Sequence, residues 1–182
     1  LLCKVKMDPC ESVNSSCFWE HMLSCSTDEI VEGIKVNADK DAENTNTEKV
    51  IIDTDPALGV PLRDVDDGLA IALALRSPEL EVLGLTITYG NTSLERGLWS
   101  ARRLLRAAGE SRVPVFAGAA CAQELGVPGE AAEFIISQLE ENPGEVSLLT
   151  LGPATNAATV EILYPGILRR AFGEAYRFRV SD

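Results

Sequence analysis

Five carboxylates, Asp53, Asp55, Asp64, Asp66 and Asp67, fall within fifteen positions of one another in a chain of 182 residues. Converging carboxylates repel and raise each other's pKa unless a cation neutralises them, so a hard divalent metal is the economical explanation of such a cluster. Ligands that are all oxygen favour calcium or magnesium over zinc. Helix initiation explains part of the cluster more simply, because Asp66 or Asp67 would cap a helix and complement its dipole. That accounts for one aspartate and leaves the others. The run Asp64-Val65-Asp66-Asp67-Gly68 opens like an EF-hand loop, yet its twelfth position is Leu75, where a bidentate glutamate is required. The EF-hand reading fails there.

What the cluster can do depends on the elements that hold it. From Lys49 onward, short apolar runs alternate with amphipathic stretches, the pattern of βαβ units around a parallel sheet. Residues 50–53 read as a buried strand, and a helix from about Asp66 to Arg76 is stopped by Ser77-Pro78. Residues 82–88 are the second strand. Thr92 with Glu95 forms a capping box opening a helix that runs through Trp99 and Leu105 to Gly109. A short strand over 113–117, a helix over about 130–140, a strand over 146–151 and a helix over about 155–163 follow. The expected fold is α/β, an open and mostly parallel sheet with flanking helices. Ligands of such sheets bind beyond the carboxyl ends of the strands. Asp53-Thr54-Asp55-Pro56, Tyr89-Gly90-Asn91 and Leu151-Gly152-Pro153 therefore share one rim.

Two families share an apolar strand running into D-x-D. Ile51-Ile52-Asp53-Thr54-Asp55 resembles the motif of haloacid-dehalogenase-type phosphatases, with Asp53 as nucleophile, but Ala57 follows Pro56 where threonine or valine is usual. That scheme also leaves Asp66-Asp67 unexplained. Four blocks in order carry a more specific resemblance: Ile52-Asp53-Thr54-Asp55-Pro56, Asp66-Asp67-Gly68-Leu69-Ala70, Leu83 through Gly90-Asn91, and Leu148 through Gly152-Pro153-Ala154-Thr155-Asn156. Together they resemble the inosine/uridine-preferring nucleoside hydrolase family over about residues 49–170. The resemblance implies a Rossmann-like sheet and, in nucleoside salvage, hydrolysis of the N-glycosidic bond of ribonucleosides to free base and ribose. It implies a calcium ion (Ca2+) held by Asp55, Asp67 and the backbone carbonyl of Leu151. It implies further that Asp55 is the general base, that Asp66 accepts a ribose hydroxyl and that Asn91 positions sugar or water. Calcium in such a site would take diol oxygens and a water, lowering that water's pKa beside Asp55. Asp53 would hold the loop.

The sequence departs from the family in three places. Ala57-Leu58-Gly59-Val60-Pro61-Leu62-Arg63-Asp64-Val65 replaces a shorter step and is expected to be a solvated surface loop. After Ala119, where the family has a His-Gly loop over the pocket, residues 121–129 lead directly to a helix. The family's carboxyl-terminal half supplies a further metal aspartate, a histidine and ribose-binding asparagines, whereas this sequence ends at Asp182, so the expected domain is a truncated one. Calcium takes about 6–8 oxygens, and the matching residues offer about half of them. A catalytically incomplete domain serving as a binding or regulatory module is therefore the alternative from a different class. An uncovered sheet edge would invite self-association into a homo-oligomer.

Bulk properties narrow the partners. A hydrophobic content of 46% over this length gives one domain a core. The domain is expected over 49–182, behind a polar, poorly ordered extension of residues 1–48. The net charge of -12 opposes nucleic acid and anionic membrane as partners. No stretch approaches the roughly 20 apolar residues of a membrane span, and no signal-peptide core precedes the domain, so the expected location is cytoplasmic. Cys3, Cys10, Cys17 and Cys25 crowd the extension beside His21 without paired C-x-x-C knuckles, which argues for reduced thiols over zinc. Disulfides are the second choice, with the Asn14-Ser15-Ser16 sequon beside them. Arg169, Arg170, Arg177 and Arg179 read as a solvated surface.

Overall fold

A computed structural model describes residues 47–171. The cysteine-bearing extension with His21, and Arg177 and Arg179, lie outside the described residues. Four strands, β1 (Glu48–Thr54), β2 (Leu80–Ile87), β3 (Val115–Ala117) and β4 (Val146–Thr150), form one sheet in the order β3-β2-β1-β4. All three pairings are parallel. Four α-helices connect or follow them: α1 (Asp66–Arg76), α2 (Leu94–Ala107), α3 (Glu130–Glu141) and α4 (Thr155–Leu163).

The two-residue period of β1 distributes its side chains between two cores. Val50 and Ile52 pack with Ile71 of α1 and with Leu104 and Leu105 of α2. Ile51 points the other way, into a cluster with Ile135 and Leu139 of α3, Val160 of α4 and Val146 of β4. Helices therefore cover both faces, giving the α/β architecture expected from the apolar runs. Each fully buried Ile or Leu contributes about 1.5–3 kcal/mol, so the two clusters together hold the sheet in register. Among the described residues no helix is long and apolar enough to cross a membrane.

Strand order fixes where the site must be. The chain steps from β1 to β2 to β3 in one direction and then returns to place β4 on the other side of β1. Connections leave the carboxyl ends of β1 and β4 in opposite directions there, opening a crevice between them. Asp55 and Leu151-Gly152 lie at it, with Asp53 and Thr54 buried beneath.

Local starts and stops differ from expectation by a residue or two. The cap of α2 is Ser93, whose Oγ accepts from the Arg96 N–H at 3.5 Å, whereas Thr92 is buried. Thr92 and Ser93 are both capping types, and burial takes the first for the rim. The first turn of α1 holds Asp66 and Asp67, but the cap position is Val65 and neither aspartate caps it. Instead Asp64 Oδ1 accepts from the Val65 N–H and Asp66 Oδ1 from the Asp67 N–H. β3 is only three residues long, since Pro114 has no N–H to donate and Val113 turns back to the Glu110 carbonyl.

Candidate active site

β1 delivers Thr54 and Asp55 to the rim, and the first turn of α1 brings Asp67 to meet them. Asp67 Oδ2 accepts two hydrogen bonds, from Thr54 Oγ1 at 2.8 Å and from the Asp55 N–H at 3.0 Å. The helix start is thereby stitched to the strand end. Asp55 Oδ2 in turn accepts from the Asn91 backbone N–H in the loop after β2.

Two glycines make room for the Asp55 carboxylate. A Cβ on Gly90, whose φ is +149°, would overlap Asp55 Oδ2, and one on Gly152 would lie 2.8 Å from Oδ1. Gly90 follows β2 and Gly152 follows β4, so three strand ends close around one carboxyl group. Any side chain at either position would displace it.

Asp53, two residues earlier, is completely buried. Its Oδ1 accepts from Thr86 Oγ1 at 2.7 Å and from Asn156 Nδ2 at 2.8 Å, while Oδ2 has no partner. Burial pushes its carboxyl up to about 6, opposed by the hydrogen bonds from Asn156 and Thr86 and reinforced by the Asp55 charge. A carboxylate sealed in this way has no approach for a phosphate ester, which removes Asp53 as the nucleophile of a phosphatase. It acts instead as a tie between strands. Asn156 extends that tie, because its Oδ1 accepts from the Ala119 N–H at 2.9 Å beyond β3. Gly118 leaves the space for this amide.

Asp55 is also pushed up to about 6, first by burial, then by the facing Asp67 carboxylate, with the Asn91 N–H working in the opposite direction. Among the described residues, an ion pair joins Lys49 to Glu145 and no cationic side chain pairs with Asp53, Asp55 or Asp67. Two carboxylates facing each other without a counter-charge form a donor set of the right chemistry for a hard cation. The set is a half-shell, however. Among the described residues no cluster of three or more His, Cys, Asp or Glu side chains could enclose a metal.

The other residues singled out from sequence are placed as follows. Asp66 is exposed at the start of α1, one residue from Asp67. Leu151 leaves β4 beside Asp53, its N–H donating to the Asp53 carbonyl at 2.8 Å. Asn91 is half-buried and its side chain is already engaged: Oδ1 accepts from the Asp64 N–H at 3.3 Å and Nδ2 donates to the Asp64 carbonyl at 3.0 Å. Sequence reasoning assigned no role to Thr54, Thr86 or Asn156. The available signal was a threonine at or near a strand end and an asparagine in a helix first turn, neither of which names its partner.

Comparison with known proteins follows the same residues. A family model described as inosine-uridine preferring nucleoside hydrolase matches residues 50–172. Uridine nucleosidase 1 of Arabidopsis thaliana is 37% identical over 137 residues, covering 61% of this chain and 39% of that protein. A solved plant nucleoside hydrolase superposes with a TM-score of 0.58 at 32% identity, over 68% of this chain and 45% of that one. A purine-preferring ribonucleoside hydrolase from Gardnerella vaginalis gives 0.55 at 27% identity, over 69% and 46%. The chain thus spans less than half the length of each of these relatives.

Proposed function

Because the chain belongs to the inosine-uridine preferring nucleoside hydrolase family, we propose that it carries the cation- and ribose-binding half of a site that hydrolyses the N-glycosidic bond of ribonucleosides. The observation that carries this reading is the seat of Asp55, a buried carboxyl group framed by Gly90 and Gly152 and facing Asp67 with no counter-charge. Such a site is poised for a divalent cation and for a proton.

In this reading Asp55, Asp67 and the Leu151 carbonyl hold a calcium ion. When bound, calcium supplies the positive charge that neutralises the two carboxylates and acidifies a water. Asp55 takes a proton from the water that attacks C1′. The new C–O bond forms as the C1′–N bond breaks, and the electron pair leaves with the base, which takes up a proton as it departs. Asp66, exposed at the rim, accepts a hydrogen bond from a ribose hydroxyl and orients the sugar. Thr54 holds Asp67 in place, and Asp53 with Thr86 and Asn156 keeps the strand ends together.

Relatives that share this half carry names with different base preferences, uridine in one and purine in another. Release of reducing sugar from inosine and uridine, with calcium or with chelator, tests the proposal. Calcium-dependent turnover abolished by Asp55→Asn is the expected result. Turnover indifferent to chelator would remove the cation from the scheme. No turnover by well-folded protein that still binds calcium through Asp55 would leave a binding module.

A further inference from the structure

The loop between β1 and α1, residues 57–65, is not the plain solvated connection its sequence suggests. Its near end is buried: Ala57 and Leu58 are inaccessible, the Leu58 carbonyl accepts from Ser100 Oγ at 3.0 Å, and the Trp99 ring lies against Gly59. Its far end is held by the Asn91 carboxamide, which pairs with both the N–H and the carbonyl of Asp64. Between these anchors Leu62 is 90% exposed and adopts a φ of +60°, the left-handed region that a branched apolar residue avoids. Such strain persists only where flanking contacts impose it. The clasp on Asp64 is the contact on the side nearer the site.

We propose that Asn91 is a positioning residue: its side chain straps the 57–65 loop to the rim while its backbone N–H fixes the Asp55 carboxylate. Oδ1 and Nδ2 each make one bond to Asp64, and together they hold both backbone polar groups of that residue. One residue thereby couples the loop to the general base. The coupling runs from Leu62 through Asp64 and Asn91 to Asp55. The proposal rests on the site reading above for what Asp55 does, but the strap itself is a property of the fold and is tested without turnover.

Asn91→Ala removes the clasp and keeps the N–H to Asp55. Arg63 is the only basic residue between Lys49 and Arg76, and the bond after it leads directly into the clasped Asp64. Trypsin should cut there at least tenfold faster in Asn91→Ala than in the parent protein, while Glu133→Ala, exposed on α3 away from the clasp, leaves the rate unchanged. Trp99 gives a second readout in a Trp19→Phe background, its emission moving to longer wavelength as Gly59 leaves the ring. Should Asn91→Ala lose its far-ultraviolet dichroism, Asn91→Asp serves instead, keeping the acceptor for the Asp64 N–H and losing the donor, with cleavage intermediate between the two. If nucleoside turnover is measurable, kcat falls with KM within twofold. Unchanged cleavage at Arg63 and unchanged Trp99 emission would overturn the strap, as would a raised KM with kcat intact. Neither result would touch the assignment of Asp55, which the chelator experiment decides separately.

Discussion

The two ends of the sheet handle charge in opposite ways. At the amino ends of the strands Lys49 reaches Asn142 and Glu145 at 2.8 and 3.0 Å, and Glu48 accepts from Ser147, all in contact with water. At the carboxyl ends Asp53, Asp55 and Asp67 are buried with hydrogen-bond donors around them, and among the described residues no cationic side chain pairs with them. The first arrangement is compensated and adds little to stability, as exposed pairs do. The second costs stability and is kept by glycines, threonines and an asparagine packed around the carboxylates. In the proposed reading, the charge held at that one end is what a divalent cation would neutralise.

Substitutions should reveal that asymmetry in order of size. Gly90→Ala forces a methyl group onto the Asp55 carboxylate at a backbone angle that L side chains resist, and should cost about 3 kcal/mol with loss of any calcium-dependent function. Denaturant unfolding measures the first and calorimetric calcium titration the second. Asn156→Ala deprives Asp53 of a donor and the Ala119 N–H of its acceptor, a loss of about 2 kcal/mol in thermal melts.

The pH response separates the ends without mutation. Asp53 and Asp55 have folded-state pKa values raised from 3.8 to about 6, so the folded chain binds protons more tightly than the unfolded one. Their contribution is fully present below the unfolded value and is lost as pH rises through about 6, by up to about 1.4 kcal/mol per pH unit for each group. Cation-free protein should therefore be more stable at pH 5 than at pH 7, and saturating calcium should flatten that slope. A melt that improves steadily from pH 5 to 7 without calcium would contradict the uncompensated rim. Lys49→Met, at the compensated end, should change stability by no more than about 0.5 kcal/mol.

Much of this was legible in the residues. Apolar runs of the right length marked the strands, the paired aspartates marked the rim, and the four blocks marked the family, because each is a local pattern. Helix starts were less legible. Thr92 and Ser93 offer equivalent capping hydroxyls, and only the burial of Thr92 against the rim decides between them. Long-range partners left no local trace at all: Asn156 meets Asp53 from 103 positions away and Asn91 meets Asp64 from 27. The asparagine expected to position sugar or water also pairs with the Asp64 backbone in the fold, a partner its sequence context does not name.

The position of β4 also sets a schedule for folding. β1 pairs with β2 across a short connection, but its other edge waits for Val146–Thr150, roughly a hundred residues further along the chain. At synthesis rates of about 5–20 residues per second, that edge and Ile51 stand open for roughly 5–20 s before β4 leaves the ribosome. Closing so long a parallel pairing is slow even afterwards. The nascent chain thus spends its most adhesive interval as a three-stranded sheet covered on one face, which is the period when a chaperone would have most to protect.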